Sequence, residues 1–166
     1  PGMGTQAICH CGSCRAGELH CGQPDPGTDG IAVFQVAPAR LRITCGLERL
    51  VPFSFGPKNL LRCKAACCNS PMFNTPRNPK LSFVGIRTTV FGDTDALGPI
   101  VGQASKQQPN GKEKHEGIFA LMAGPIRRML WSRLSGGWKN NPLFDTAAGQ
   151  PIATPEVLPK GSRIAL

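Results

Sequence analysis

Three cysteines open the chain as Cys9-x-Cys11-x-x-Cys14, and Cys63, Cys67 and Cys68 follow about fifty residues later. Thiolates are strong ligands for Zn²⁺. Four held tetrahedrally close a structural site, whereas three leave a position open for catalysis. Alternate residues of a strand or turn, such as Cys9 and Cys11, both reach one ion, and Cys14 turns back to it three residues later. Small buried core cysteines are the plainer reading, but they leave the neighbours His10, Gly12 and Ser13 unexplained. The chain has 8 cysteines and shows no charged-then-apolar leader, so metal is expected ahead of disulfides, in the reducing cytoplasm. The adjacent pair Cys67-Cys68 points the same way, because neighbouring cysteines bridge only with strain. Cys21 and Cys45 read as small core residues. On a strand His10 would point away from a metal held by Cys9 and Cys11, and His20 and His115 stand in no motif.

The elements that must position these residues are short. Glycine (20) and proline (16) make up over a fifth of 166 residues, which means many turns. Strand-like segments fall at Ile31–Val36, Leu41–Thr44, Leu50–Phe55, Leu60–Lys64 and Leu81–Ile86. Within Leu41–Thr44, Leu41 and Ile43 would face a core. The expected fold class is mainly β, built of small antiparallel sheets. Residues 23–30 (QPDPGTDG) read as a loop, and the polar 103–115 as a mobile loop or linker. From Glu116 to Leu134, apolar residues at spacings of three and four predict a helix, kinked or split by Pro125 and ended by Gly136-Gly137. The stretch 138–166 reads as an extended tail. The organisation expected is a zinc-binding β domain over 3–99, with linker, helix and tail over 100–166.

No apolar run approaches the length of a membrane span. The formal net charge of +9 is modest for a nucleic-acid binder, and it suits a small anionic ligand equally well. Arg127, Arg128, Arg133, Trp131 and Trp138 are read as the solvated face of a helix docked by its apolar stripe. Nucleic-acid and membrane partners are therefore not expected.

The segments ICHCGSCRAGEL and LLRCKAACCNSPMFNT resemble the glutathione-dependent formaldehyde-activating enzymes, the group that includes centromere protein V. GIAVFQVAPARLRITCGLERL and LSFVGI resemble an uncharacterised branch of it, and the likeness covers roughly residues 6–91. The resemblance implies an Mss4-like fold of small coiled β-sheets with cysteine-bound Zn²⁺. It also implies carbon–sulfur lyase chemistry on the adduct of glutathione, or a similar thiol, with formaldehyde. Cys9, His10, Cys11, Cys14 and Arg15 match the family's central catalytic motif, but Cys9-x-Cys11-Gly12 followed by RAGEL matches its early structural motif equally well. Cys68 aligns with the last cysteine of the late motif, while Ala65 stands where its partner belongs. One of the usual three motifs is missing. The resemblance thus implies Cys9, Cys11 and Cys14 as catalytic ligands and Arg15 as a glutathione contact. A single zinc drawn from both clusters would use Cys9, Cys11 and Cys67 or Cys68, completed by Cys14 or Cys63. The alternative is a zinc-stabilised binding domain that has lost the catalytic motif.

Overall fold

A computed structural model describes residues 3–108 and 110–159. The chain runs β1 (Gly4–Cys9), α1 (Gly12–His20), β2 (Ile31–Val36), β3 (Leu50–Ser54), β4 (Leu61–Ala65), β5 (Pro71–Thr75), β6 (Val84–Arg87), β7 (Ile100–Gln107), β8 (Glu113–Glu116) and α2 (Ile118–Leu134). The two-residue pieces β9 (Phe144–Asp145), β10 (Gln150–Pro151) and β11 (Glu156–Val157) follow. The fold is mainly β. Among the described residues one nine-stranded sheet is ordered β11-β3-β4-β5-β6-β2-β1-β7-β8, and β9 and β10 form a separate pair. Most neighbours are antiparallel, but β7 runs parallel to β1, and β11 parallel to β3.

Apolar content and burial in mid-sheet, rather than strict alternation, explain the expected strand that became β2. In β2, Ile31, Val33, Phe34 and Val36 are buried, and Phe34 and Val36 join Leu61, Phe73, Val84 and Ile86 in the largest apolar cluster. Two expectations about irregular segments change. Leu41–Thr44 is not a strand, because no neighbouring strand is available to it between the short helical turns 38–40 and 47–49. Leu41 and Ile43 nevertheless pack against the main cluster, the face expected of them. The polar 103–115 is no loose linker: its described residues fall largely in the β7–β8 hairpin, with β7 lying directly on β1. Backbone pairing holds this hairpin, with Ala104 packed on the cluster of Ala7, Ile31, Val33 and Leu121. The charged edge strand β8 (EKHE) suits an exposed sheet edge.

Helix α2 is a single 17-residue helix containing Pro125, rather than two. It docks by a face other than its apolar stripe. Leu121 and Ser132 are buried and Gly124 and Arg128 half-buried, whereas Phe119, Met122, Ile126, Leu130 and Leu134 are exposed. Gly124 allows this approach, since a Cβ there would stand 2.6 Å from Thr5 Oγ1 of β1. Arg128 then donates to Thr5 Oγ1 (2.8 Å) and to the Gln35 carbonyl (3.1 Å), and Ser132 donates to Ser82 Oγ (2.8 Å). The tail returns to the sheet at β11, and the Leu158 N–H donates to the Ser54 carbonyl (2.8 Å). The part of the expected tail beyond Pro159 lies outside the described residues.

Candidate metal centre

Strand β1 ends at Cys9, and the chain turns through His10 and Cys11 into α1, which carries Cys14 on its first turn. The helix was not expected from the sequence. Its C-terminus is built as a Schellman motif: the Gly22 N–H donates to the Leu19 carbonyl and the Gln23 N–H to that of Glu18, with Gly22 at φ +71°. Cys11 is the N-cap, at the positive end of the helix dipole. On the other side, Cys9 pairs with Ala104 of β7, where an irregularity in the β7–β8 ladder places Ser105 at φ 55°.

The three sulfurs of Cys9, Cys11 and Cys14 lie within 4.8 Å of one another, and Cys9 donates to Cys11 across 3.3 Å. Tetrahedral zinc–thiolate bonds of about 2.3 Å require sulfurs about 3.8 Å apart, so the three thiols need only small adjustments to share one ion. Among the described residues no other Cys, His, Asp or Glu joins this group. The thiols also share protons unequally. Hydrogen bonds from Cys14 and Cys9, with the charge of Arg62, hold Cys11 far below the ordinary thiol range. Donating to Cys11 pushes Cys14 and Cys9 up, and burial adds to both. The metal-free cluster thus carries one thiolate, at Cys11, and two protons.

Behind the cluster sits a buried charge set that sequence reasoning missed. Arg62 of β4, only 7% exposed, donates to the Ser13 carbonyl (2.8 Å) and Ser13 Oγ (3.0 Å) and reaches Cys14 Sγ at 3.9 Å. Its guanidinium lies 5.7 Å from the Phe55 ring centre. Gly17 makes room for it, since a Cβ there would meet Arg62 Nε at 2.8 Å. Arg87 of β6 pairs with Glu18 at 2.9 Å and donates to the Ala32 carbonyl (3.2 Å). Burial pushes the Glu18 carboxyl up, partly opposed by Arg87. Two arginines and one carboxylate leave a single positive charge beside the sulfurs. One thiolate balances it, and so would three thiolates around a divalent ion, a unit also of charge −1. Among these residues lies a cavity of about 30 Å³, bordered by Cys14, Glu18, Arg62, Cys63 and Arg87, with room for about one water molecule. Burial raises the Cys63 thiol to about 12, the behaviour of a core thiol.

The second cysteine group does not reach the first. Cys67 and Cys68 are exposed in the turn between β4 and β5, their sulfurs 3.6 Å apart, with Cys68 donating to Ser70 Oγ (3.2 Å). The physical reason is strand direction: β4 approaches Cys14 at Arg62 and then runs on three residues, about 10 Å, before this turn begins. Arg15 is held by Asp25, with Nε donating to Oδ1 at 2.8 Å beside a second ion-pair contact. His10 bonds Gln103 of β7 (Nε2 to Oε1, 2.9 Å), and Gly30 packs where a Cβ would strike its ring. His20 is stacked near Phe53, ring centres 4.6 Å apart, and burial lowers its basicity. His115 Nδ1 accepts the Ser105 N–H at 3.1 Å. Cys21 is buried, as expected, with Ala16, Phe53 and Phe55, but Cys45 is exposed, not a core residue. The signal for Arg62 was slight: in LLRCK it alternates with apolar residues, which reads as a solvent face until α1 is known to cover it.

No curated protein and no solved structure is significantly similar to the chain. The profile of a family of unknown function, DUF6151, matches residues 1–154. Spanning nearly the whole sequence, that match shows that the chain belongs to the DUF6151 family.

Proposed function

We propose that this chain is a zinc-binding, carbon–sulfur lyase-like protein acting on the adduct of a small aldehyde with glutathione or a similar thiol. The observation that carries the reading is the set of three thiols within 4.8 Å, built by one strand end and one helix start. A zinc ion bound there would supply a Lewis acid with a fourth position for a thiol or carbonyl oxygen. The chain's own part is electrostatic and positional. Arg62 offsets the negative charge of the thiolates and fixes the first turn of α1 through Ser13. In the reaction the substrate thiol sulfur bonds to the aldehyde carbon and the carbonyl π bond breaks. The thiol proton ends on the new hydroxyl oxygen, so the overall step is proton-neutral. All eight cysteines are unpaired, which suits a reducing compartment, the cytoplasm; the partner proposed is a small molecule rather than nucleic acid or membrane. No described helix is long and apolar enough to cross a membrane.

A second reading, a zinc-stabilised domain without catalysis, is favoured by two features. The cavity beside Cys14 is only about 30 Å³, and Arg15 is already engaged by Asp25. Zinc analysis of the purified chain and of Cys→Ser variants tests the shared premise. One zinc per chain is expected, lost in Cys11→Ser and Cys14→Ser and kept in Cys67→Ser and Cys68→Ser. Exchange spectroscopy of formaldehyde with glutathione then separates the readings. Faster adduct exchange with the zinc-loaded native chain than with zinc-free Cys14→Ser supports the enzyme, and equal rates, although the native chain holds zinc, support the structural domain. Absence of zinc from the native chain overturns both.

A further inference from the structure

Three arginines converge at the far end of the sheet from the cysteines. β1 pairs antiparallel with β2 so that Cys9 faces Ile31 and Gly4 faces Val36. The turn leaving β2 therefore lies beside the start of β1, four to five residues, about 13–17 Å, from Cys9. There the turn and helix α2 enclose an open cavity of about 510 Å³ bordered by Arg40, Arg127, Arg128, Trp131 and Ser135. The size falls within the roughly 300–1,000 Å³ of small-molecule sites and exceeds what an inorganic ion requires.

The charges in this cavity are uncompensated. Among the described residues none of Arg40, Arg127 and Arg128 forms an ion pair. Arg128 is half-buried and fixed through Thr5 and the Gln35 carbonyl. Burial, then the like charges of Arg127 and Arg40, make its charged form harder to hold. An arrangement that costs free energy when empty favours an anion when filled. Trp131, 71% exposed, supplies a flat apolar platform at the same cavity, and Ser135 fixes the end of the helix by donating to the Trp131 carbonyl (2.8 Å). Three guanidinium charges match the two or three charges of a phosphomonoester or diphosphate better than the single charge of a carboxylate. An exposed indole adds stacking for a planar ring.

We infer that this cavity binds a planar organic phosphate of the nucleotide class, with phosphate oxygens on Arg40, Arg127 and Arg128 and the ring against Trp131. The site is independent of the thiol centre and does not rest on the chemistry proposed for it. Calorimetric titration of the full chain with ADP, pyrophosphate, adenosine and phthalate provides the test. ADP is expected to bind saturably, more tightly than pyrophosphate alone, with adenosine and phthalate at least tenfold weaker. Arg40→Gln with Arg127→Gln should weaken ADP at least tenfold and pyrophosphate with it. Trp131→Ala should weaken ADP and leave pyrophosphate unchanged. ADP should quench tryptophan fluorescence in Trp138→Phe but not in Trp131→Phe. Unchanged circular dichroism and urea unfolding in the variants exclude misfolding as the cause. Three results would overturn the assignment: no saturable binding of ADP below about 1 mM, ADP affinity unaffected by the arginine substitutions, or phthalate binding as tightly as ADP. A single-stranded oligonucleotide binding more than tenfold tighter than ADP would overturn it in favour of a nucleic-acid surface.

Discussion

Three thiols crowded within 4.8 Å cannot all ionise beside one another without a cation. With Cys11 held as thiolate and Cys9 and Cys14 held as thiols, loading a divalent metal at neutral pH must expel protons. The expected number is about two per ion, because only the Cys11 proton has already left. Calorimetric zinc titrations in buffers of different ionisation enthalpy measure that number, and a value near three would mean that Cys11 is protonated in the metal-free chain. Apparent zinc affinity should accordingly climb with pH through the neutral range. The grouping of these three residues was legible in the sequence because ligands within six positions need no tertiary knowledge to be placed together. The separation of Cys67 and Cys68 was not legible, since it depends on how far β4 runs past its contact with α1. Nor was the Asp25 partner of Arg15, which a loop of ordinary composition brings back by ten residues.

At the level of elements, α1 is the piece that converts a cysteine pattern into a site. It covers Arg62, carries the buried carboxylate Glu18 and caps on Cys11. Nine residues with two glycines and the candidate ligand Cys14 hide a helix from pattern reading, and Gly22 at its C-terminus was the one local signal for it. The expected strand Ile31–Val36 matches the observed one, because apolar residues on a strand buried in mid-sheet leave little choice. The β7–β8 hairpin has no such stripe, so its pairing with β1 and its packing against Leu121 of α2 define it. Glu18 offers a measurable consequence. Its carboxyl titrates above the ordinary range because burial outweighs the attraction of Arg87. The folded state therefore holds this proton more tightly than the unfolded chain. Stability should fall as pH rises through the interval just above the ordinary carboxyl value, and this contribution should vanish in Glu18→Gln. Because that variant removes the buried charge together with the ion pair, its stability at pH 7 should stay close to that of the native chain, read from urea unfolding at several pH values.

For the whole molecule, the C-terminal residues serve the same body as the N-terminal ones. β11 lies along β3, pairing Glu156 with Phe53 and Val157 with Ser54, and Leu158 packs on the cluster of Ala16, Cys21, Phe53 and Phe55. A chain ending at Thr154 would leave the β3 edge open and expose part of that cluster. It should unfold at lower urea, by about 1–2 kcal/mol in stability. Its zinc content should match that of the full chain, since none of the described residues removed joins the group of Cys9, Cys11 and Cys14. Loss of zinc on this truncation would mean that the thiol centre depends on the distant edge of the sheet.

The parallel seam between β1 and β7 sets an order of events during synthesis. Strand β1 acquires β2 as its first neighbour, but its other flank stays open until Ile100–Gln107 emerges, more than eighty residues after Cys14. At about 5–20 residues per second, the ribosome leaves that flank unpaired for several seconds. The three thiols, in contrast, span six consecutive positions and need almost no chain closure to meet. A nascent chain therefore presents its metal-ligand cluster before the middle of its sheet can close. An ion captured at that stage would tie the end of β1 to the start of α1 while the seam still waits for its last strand.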